Sequence, residues 1–264
     1  MKPQLHFAHG NGFPSPCYAQ MLEGLSSEYD CRYIDKIGHN EAFPVGDNWD
    51  SLVQEVIESI KLQCQTPVIA LGHSLGGVLS LLAAFEQPEL FQCVVLLDAP
   101  LISPLRSRGI RLSKLLGFID RITPAHRSKA RRAHWQSREQ AFKYLKRREL
   151  FKHFTDASIN DYIDYGMTHD ETGYTLRFDT GIEYEIYRTI PHYHIGFRQK
   201  LNVPAYLIYG SESDIVHALD RRFMARKFSI AAYKTQGTHM FPFEYPEETT
   251  SLVLDLLHKK PWNH

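Results

Sequence analysis

Short apolar runs alternate along this chain with longer segments whose apolar residues recur at helical spacing. The runs predict strands over residues 5–8, 31–35, 68–71, 93–98, 205–209 and 230–234. Between them, Leu52, Val53, Val56, Ile57 and Ile60 form one helical stripe behind Asp50, a residue suited to capping, and Leu252, Val253, Leu256 and Leu257 form another. Strands that alternate with such helices predict an α/β fold, a mostly parallel sheet of about six strands covered by helices on both faces. The rhythm breaks over residues 101–202, which carry helical, highly charged sequence and no convincing parallel strand. This reads as a mainly helical cap inserted into a core made of residues 1–100 and 203–264.

The chemistry starts at Gly72-His73-Ser74-Leu75-Gly76-Gly77, directly behind the apolar run 67–71 and directly ahead of the apolar stretch 78–84. A chain of this length meets G-x-S-x-G by accident with odds on the order of one in ten. The setting of strand, sharp turn and helix is what makes the motif specific. Such a turn forces the serine into a strained backbone conformation and lifts its hydroxyl above the sheet. Ser74 is the candidate nucleophile.

A serine hydroxyl needs a base within hydrogen-bond reach and a third group that orients the base. The strand at 205–209 runs into Gly210-Ser211-Glu212-Ser213-Asp214, and the strand at 230–234 runs into Thr235-Gln236-Gly237-Thr238-His239. Asp214 is the candidate orienting acid and His239 the candidate base. Glu212, two residues from Asp214, and Asp98, at the end of the strand at 93–98, stay open as alternatives for the acid. Open α/β sheets bind ligands at the carboxyl ends of their strands, where all these residues fall. The other histidines, His126, His134, His192 and His194 among them, read as structural.

Negative charge that develops on a carbonyl oxygen needs backbone donors. The N–H of Leu75 is one candidate, at the start of a helix whose dipole favours negative charge. The N–H of Asn11 is the second, in the loop His9-Gly10-Asn11-Gly12-Phe13-Pro14 behind the first strand, where glycines permit close approach to a ligand. Aromatic residues crowd the cap and its facing loops. Most of them form cap core, and Phe13, His73 and Met240 are the candidate substrate contacts.

These pieces resemble the α/β-hydrolase superfamily over nearly the whole chain: His9-Gly10-Asn11-Gly12 as oxyanion loop, Gly72 to Gly76 as elbow, Gly210 to Asp214 as acid loop, Gly237-Thr238-His239 as histidine loop. The resemblance implies a serine hydrolase with a helical lid. Serine at the elbow points to esters, thioesters or carbon–carbon bonds, and away from the epoxide hydrolases and haloalkane dehalogenases that carry aspartate there. Only Met1 to Gln4 precede the first strand, so the N-terminal antiparallel hairpin common in the family is not expected. Asp214 also lies four residues past Gly210, where three is commoner.

Composition narrows the partners. Lys+Arg and Asp+Glu both count 30, which implies neither a nucleic-acid footprint nor a general attraction to membranes. Residues 106–152 hold fifteen Lys and Arg, and the second half of the cap is acidic, so salt bridging within the cap is the expected use of both. Cys17, Cys31, Cys64 and Cys93 lack C-x-x-C spacing and read as reduced thiols. No apolar leader or membrane-spanning run appears, so a cytoplasmic monomer or homodimer without membrane insertion is expected. No metal site and no cofactor are indicated, since His192 and His194 lack a third ligand at useful spacing and no phosphate-cradling loop is present.

The reading is a hydrolase of small apolar carboxylic esters that works through an acyl-enzyme. Carbon–carbon hydrolysis of meta-cleavage-type diketones or thioester hydrolysis is the first alternative, and a thioester substrate such as an acyl-CoA would make the Michaelis constant salt-dependent. A silent fold that only binds a ligand is the second.

Overall fold

The computed structural model describes residues 2–65 and 67–259. Among these, nine strands form two sheets: β1 (Gln4–Ala8), β2 (Asp30–Tyr33), β3 (Val68–His73), β4 (Phe91–Leu97), β5 (His134–Trp135), β6 (Met167–Asp170), β7 (Gly173–Leu176), β8 (Ala205–Gly210) and β9 (Ala231–Thr235). The large sheet has the order β2-β1-β3-β4-β8-β9, and every neighbouring pair in it is parallel. All six expected strands are present.

Alternation along the strands sorts the core into two layers. Val68, Ala70, Val94 and Leu96 face one side, with α2 (Asp50–Gln63), α3 (Leu75–Glu86) and α10 (Ala218–Phe228). Leu5, Phe7, Ile69, Leu71, Val95 and Leu97 face the other, with α1 (Ala19–Ser26) and α12 (Pro246–His258). The two stripes read from the sequence thus cover opposite faces. Side chains such as Leu52, Val56 and Ile60 are fully buried, each stabilising the fold by roughly 1.5–3 kcal/mol. Asp50 is the first residue of α2 rather than its cap. Trp49 precedes it in a left-handed conformation, held there because its indole N–H donates to the Ile186 carbonyl and the Asn48 side chain accepts from the N–H groups of His192 and Tyr193.

The chain leaves β1 for the sheet edge at β2 and returns to β3 on the opposite side of β1. Loops at the carboxyl ends of β1 and β3 therefore diverge and open a crevice. Over this end lies the segment between β4 and β8. It holds α4 (Pro104–Leu115), α5 (Ile119–Ile122), α6 (Ala125–Lys129), α7 (Arg138–Lys146), α8 (Asp156–Gly166) and α9 (Thr180–Arg188), and a small antiparallel sheet of order β5-β7-β6. α11 (Phe241–Glu244) leads into α12.

The charged halves of this segment do meet: Arg131 pairs with Glu183, Arg138 with Asp164, and Lys146 with Asp156. Others reach the core, Arg106 to Asp220, Lys114 to Asp47 and Arg177 to Asp35. All four cysteines are free thiols. No helix among the described residues is long and apolar enough to cross a membrane.

Candidate active site

Ser74 sits between β3 and α3 with φ 51° and ψ −116°, outside the ordinary regions for a side-chain-bearing residue. Its neighbours make that turn possible by having no side chains. A Cβ on Gly72 would lie 2.4 Å from the Gly77 nitrogen, and one on Gly76 would lie 2.1 Å from the Ala8 carbonyl oxygen. The elbow is closed by Ser74 N–H donating to the Leu97 carbonyl (2.9 Å) and Gly76 N–H donating to the His9 carbonyl (3.0 Å). These two bonds tie the turn to β4 and to the loop after β1.

Three side chains converge there. The Ser74 hydroxyl donates to His239 Nε2 at 3.0 Å, and His239 Nδ1–H donates to Asp98 Oδ2 at 2.7 Å. A carboxylate only accepts, so Asp98 fixes the imidazole with its proton on Nδ1 and leaves Nε2 free to act as a base. Ser74 and His239 stand as expected from the sequence. The acid does not: Asp214 is exposed and makes no hydrogen bond to His239, and the partner of His239 is Asp98, fully buried just past β4.

The physical reason lies in the loop after β8. Its Gly210 N–H donates to Asp98 Oδ1 at 2.9 Å, and its Ser213 hydroxyl donates to Asp98 Oδ2. That loop supplies donors to a carboxylate from the neighbouring strand instead of supplying the carboxylate. Asp98 itself takes φ 45°, a second strained residue at a strand end beside Ser74.

His73 also departs from expectation. It is buried, and both ring nitrogens are engaged: Nε2–H donates to the His239 carbonyl at 2.9 Å, and the Tyr18 hydroxyl donates to Nδ1 at 2.7 Å. Tyr18 in turn accepts from Gly10 N–H at 3.1 Å. Burial, with the nearby His239 ring, lowers the His73 pKa to about 3, so the ring stays neutral. His73 is thus a tie between elbow, histidine loop and oxyanion loop, with no nitrogen left for a substrate. Phe13 and Met240, the other two expected contacts, are 4% exposed and belong to the buried core. Phe13 packs among Phe151, Phe154, Tyr162 and Phe243, which joins the loop to the segment between β4 and β8 and to α11.

The two expected oxyanion donors lie in segments tied to the elbow. Neither Leu75 N–H nor Asn11 N–H has a protein acceptor among the described residues. Leu75 opens α3, where helix geometry leaves the first N–H groups unpaired. The loop carrying Asn11 is held on several sides. His9 Nδ1–H donates to the Gly10 carbonyl while Nε2 accepts from Ile37 N–H, both at 2.8 Å. From the segment between β4 and β8, the Glu183 carbonyl accepts from the Asn11 side chain at 3.0 Å, and Tyr162 donates to the Gly12 carbonyl at 3.3 Å. Arg131 bonds both Glu183 and Tyr162 and so braces this contact.

The histidine loop has a support that sequence reading missed. Glu244 accepts from Thr238 N–H at 2.8 Å and from the Thr238 hydroxyl at 2.5 Å, while Gly237 turns with φ 97°. A carboxylate six residues beyond a threonine, across a short helix, is the only sequence trace of it. Among the described residues, no group of three or more His, Cys, Asp or Glu could hold a metal ion.

This arrangement can be set against known proteins. The Alpha/beta hydrolase family matches the chain over residues 7–252. The chain belongs to that family. Over 262 residues this α/β hydrolase is 28% identical to the uncharacterized hydrolase YugF of Bacillus subtilis (strain 168), which covers 94% of this chain and 88% of that protein. It is 31% identical over 128 residues to a monoglyceride lipase homolog of Monkeypox virus, 45% of this chain and 46% of the relative. The chain thus spans less than half the length of that lipase homolog. Among solved structures, an E-2-(acetamidomethylene)succinate hydrolase superposes with a TM-score of 0.79 at 18% identity, over 98% of this chain and 92% of the other, which shows a common fold. Hydrolysis is the class of activity that the family and its relatives support.

Proposed function

We propose that the protein is a serine hydrolase that cleaves carboxylic esters through an acyl-enzyme, with Ser74 as nucleophile, His239 as base and Asp98 as orienting acid. The observation that carries the proposal is the unbroken chain from the Ser74 hydroxyl through both His239 nitrogens to the Asp98 carboxylate, at 3.0 and 2.7 Å. As the Ser74 oxygen attacks the ester carbonyl, its proton passes to His239 Nε2. The imidazolium is then stabilised by a buried carboxylate that already holds two other donors. The carbonyl oxygen becomes an oxyanion facing the N–H groups of Leu75 and Asn11, and each such donor is worth about 2.7–4 kcal/mol of transition-state stabilisation. His239 returns the proton to the leaving alcohol. Water, activated by the same imidazole, releases the acid.

An ester is favoured over other acyl substrates by the monoglyceride lipases among the relatives, whose name describes a glycerol ester. The test is turnover of nitrophenyl esters by the wild type and by Ser74→Ala, with fluorophosphonate labelling as a second readout. Wild type turns over and is labelled; the variant loses at least about 10⁴-fold in kcat and takes no label. Turnover retained by the variant would contradict the proposal.

A further inference from the structure

α4 is built inside out. Its buried face carries Ser107, Ile110 and Ser113, whereas Leu105, Leu112, Leu115 and Leu116, immediately after the helix, are 64%, 56%, 75% and 58% exposed. At 100° per residue, Leu105, Leu112 and Leu116 share one outward stripe, with Arg108 and Leu115 beside it. Phe118 and Ile122 extend the apolar surface at 45% and 59% exposure. Among the described residues, six of the twelve large exposed apolar side chains therefore fall within residues 105–122, a clustering that single scattered surface leucines do not produce.

Charge says what this face meets. Arg108, Arg111 and Arg121 are exposed among these side chains and have no carboxylate within salt-bridge distance among the described residues. Arg108 and Arg111 also line a depression with His192 and Tyr193 at the edge of the leucine stripe. A second copy packed by two-fold symmetry would bring these arginines against one another, which disfavours self-association. A surface that is apolar inside and anionic at its boundary takes both features at once. Neutrality of the chain as a whole conceals this local excess.

We propose that α4 and the turn after it are a docking face for anionic lipid bilayers. The leucines enter the boundary between headgroups and acyl chains, and Arg108 and Arg111 engage phosphate headgroups. α4 begins six residues after Asp98, on the segment that leaves the strand end where His239 meets Asp98.

Flotation of the full chain with vesicles of phosphatidylcholine alone, or with about 30 mol % phosphatidylglycerol, tests this. The wild type partitions at least about tenfold more strongly to the anionic vesicles, and the gain disappears at high salt. The pairs Leu112→Ser with Leu116→Ser, and Arg108→Gln with Arg111→Gln, each lower partitioning about tenfold, with unchanged circular dichroism. Ser74→Ala still floats, so failure of the hydrolase reading and failure of docking give different results. Equal partitioning to both vesicle types, or partitioning that both variant pairs leave intact, would overturn the proposal. So would a concentration-dependent dimer abolished by the leucine pair in a protein that does not float.

Discussion

α3 and α4 are both twelve residues long, and each starts close behind a member of the proposed triad: α3 directly after Ser74, α4 six residues after Asp98. Ten residues of α3 are buried, against three of α4. α3 carries glycines where backbones cross and is buried on nearly all sides, so packing, together with the Gly76 N–H bond to the His9 carbonyl, sets its position. α4 turns serines inward and leucines outward, and is located by polar ties: Arg106 to Asp220, Ser103 N–H to Asp220, and the Ser107 hydroxyl to the His192 carbonyl. Rigid burial holds the chemistry at one strand end. At the next, the same length of helix is left to meet something outside the chain.

The sharpest way to break this contrast is acid. Burial lowers the pKa of His6, His9 and His194 to about 4 and, helped by the His239 ring, that of His73 to about 3, so all four stay neutral in the fold. The unfolded chain takes up their protons below about pH 6.5, so stability falls as pH drops from there towards 4. Glu55 opposes them, because burial raises its pKa to about 7 and its contribution is lost as pH rises from about 4.5 towards that value. Together these five groups take up on the order of three protons on unfolding near pH 5.5. Urea unfolding at a series of pH values reads this slope directly.

A matched pair of truncations compares the two helices next. Leu79→Ala in α3, at a fully buried position, costs about 2–5 kcal/mol. Leu112→Ala in α4 costs less than about 0.5 kcal/mol. Equal losses in denaturant midpoints would show that α4 is buried in solution.

A smaller effect comes from the tie behind the site. Tyr18→Phe removes the hydroxyl that joins Gly10 N–H to His73 Nδ1 and leaves both buried groups without a partner. Stability falls by about 1–3 kcal/mol. Because Tyr18 only positions the loop, kcat for nitrophenyl esters falls less than about tenfold, and thermal unfolding with steady-state kinetics checks both.

What could be read from the chain follows the same division. Short apolar runs and helical stripes made the six strands and the covering helices legible, and glycines close to Ser74 and His239 marked the turns that expose them. Asp98 and Asp214 both follow strand ends with the order serine, acid, histidine intact. Only the placement of Gly210 N–H and the Ser213 hydroxyl around Asp98 separates them, and that placement is not written in spacing. Between β4 and β8, β5 is two residues long, and β6 and β7 form a hairpin of four-residue strands, too little for a period to register. The sequence marks α4 only as part of a helical, highly charged segment. Which face points outward is a property of what packs against it.

Which carboxylate orients His239 is decided most directly by kcat/KM of Asp98→Asn beside Asp214→Asn on one nitrophenyl ester. Asp98→Asn loses about 10³–10⁴-fold while Asp214→Asn stays within about threefold of wild type. The reverse result, with Asp214→Asn crippled and Asp98→Asn active, would contradict the assignment of Asp98.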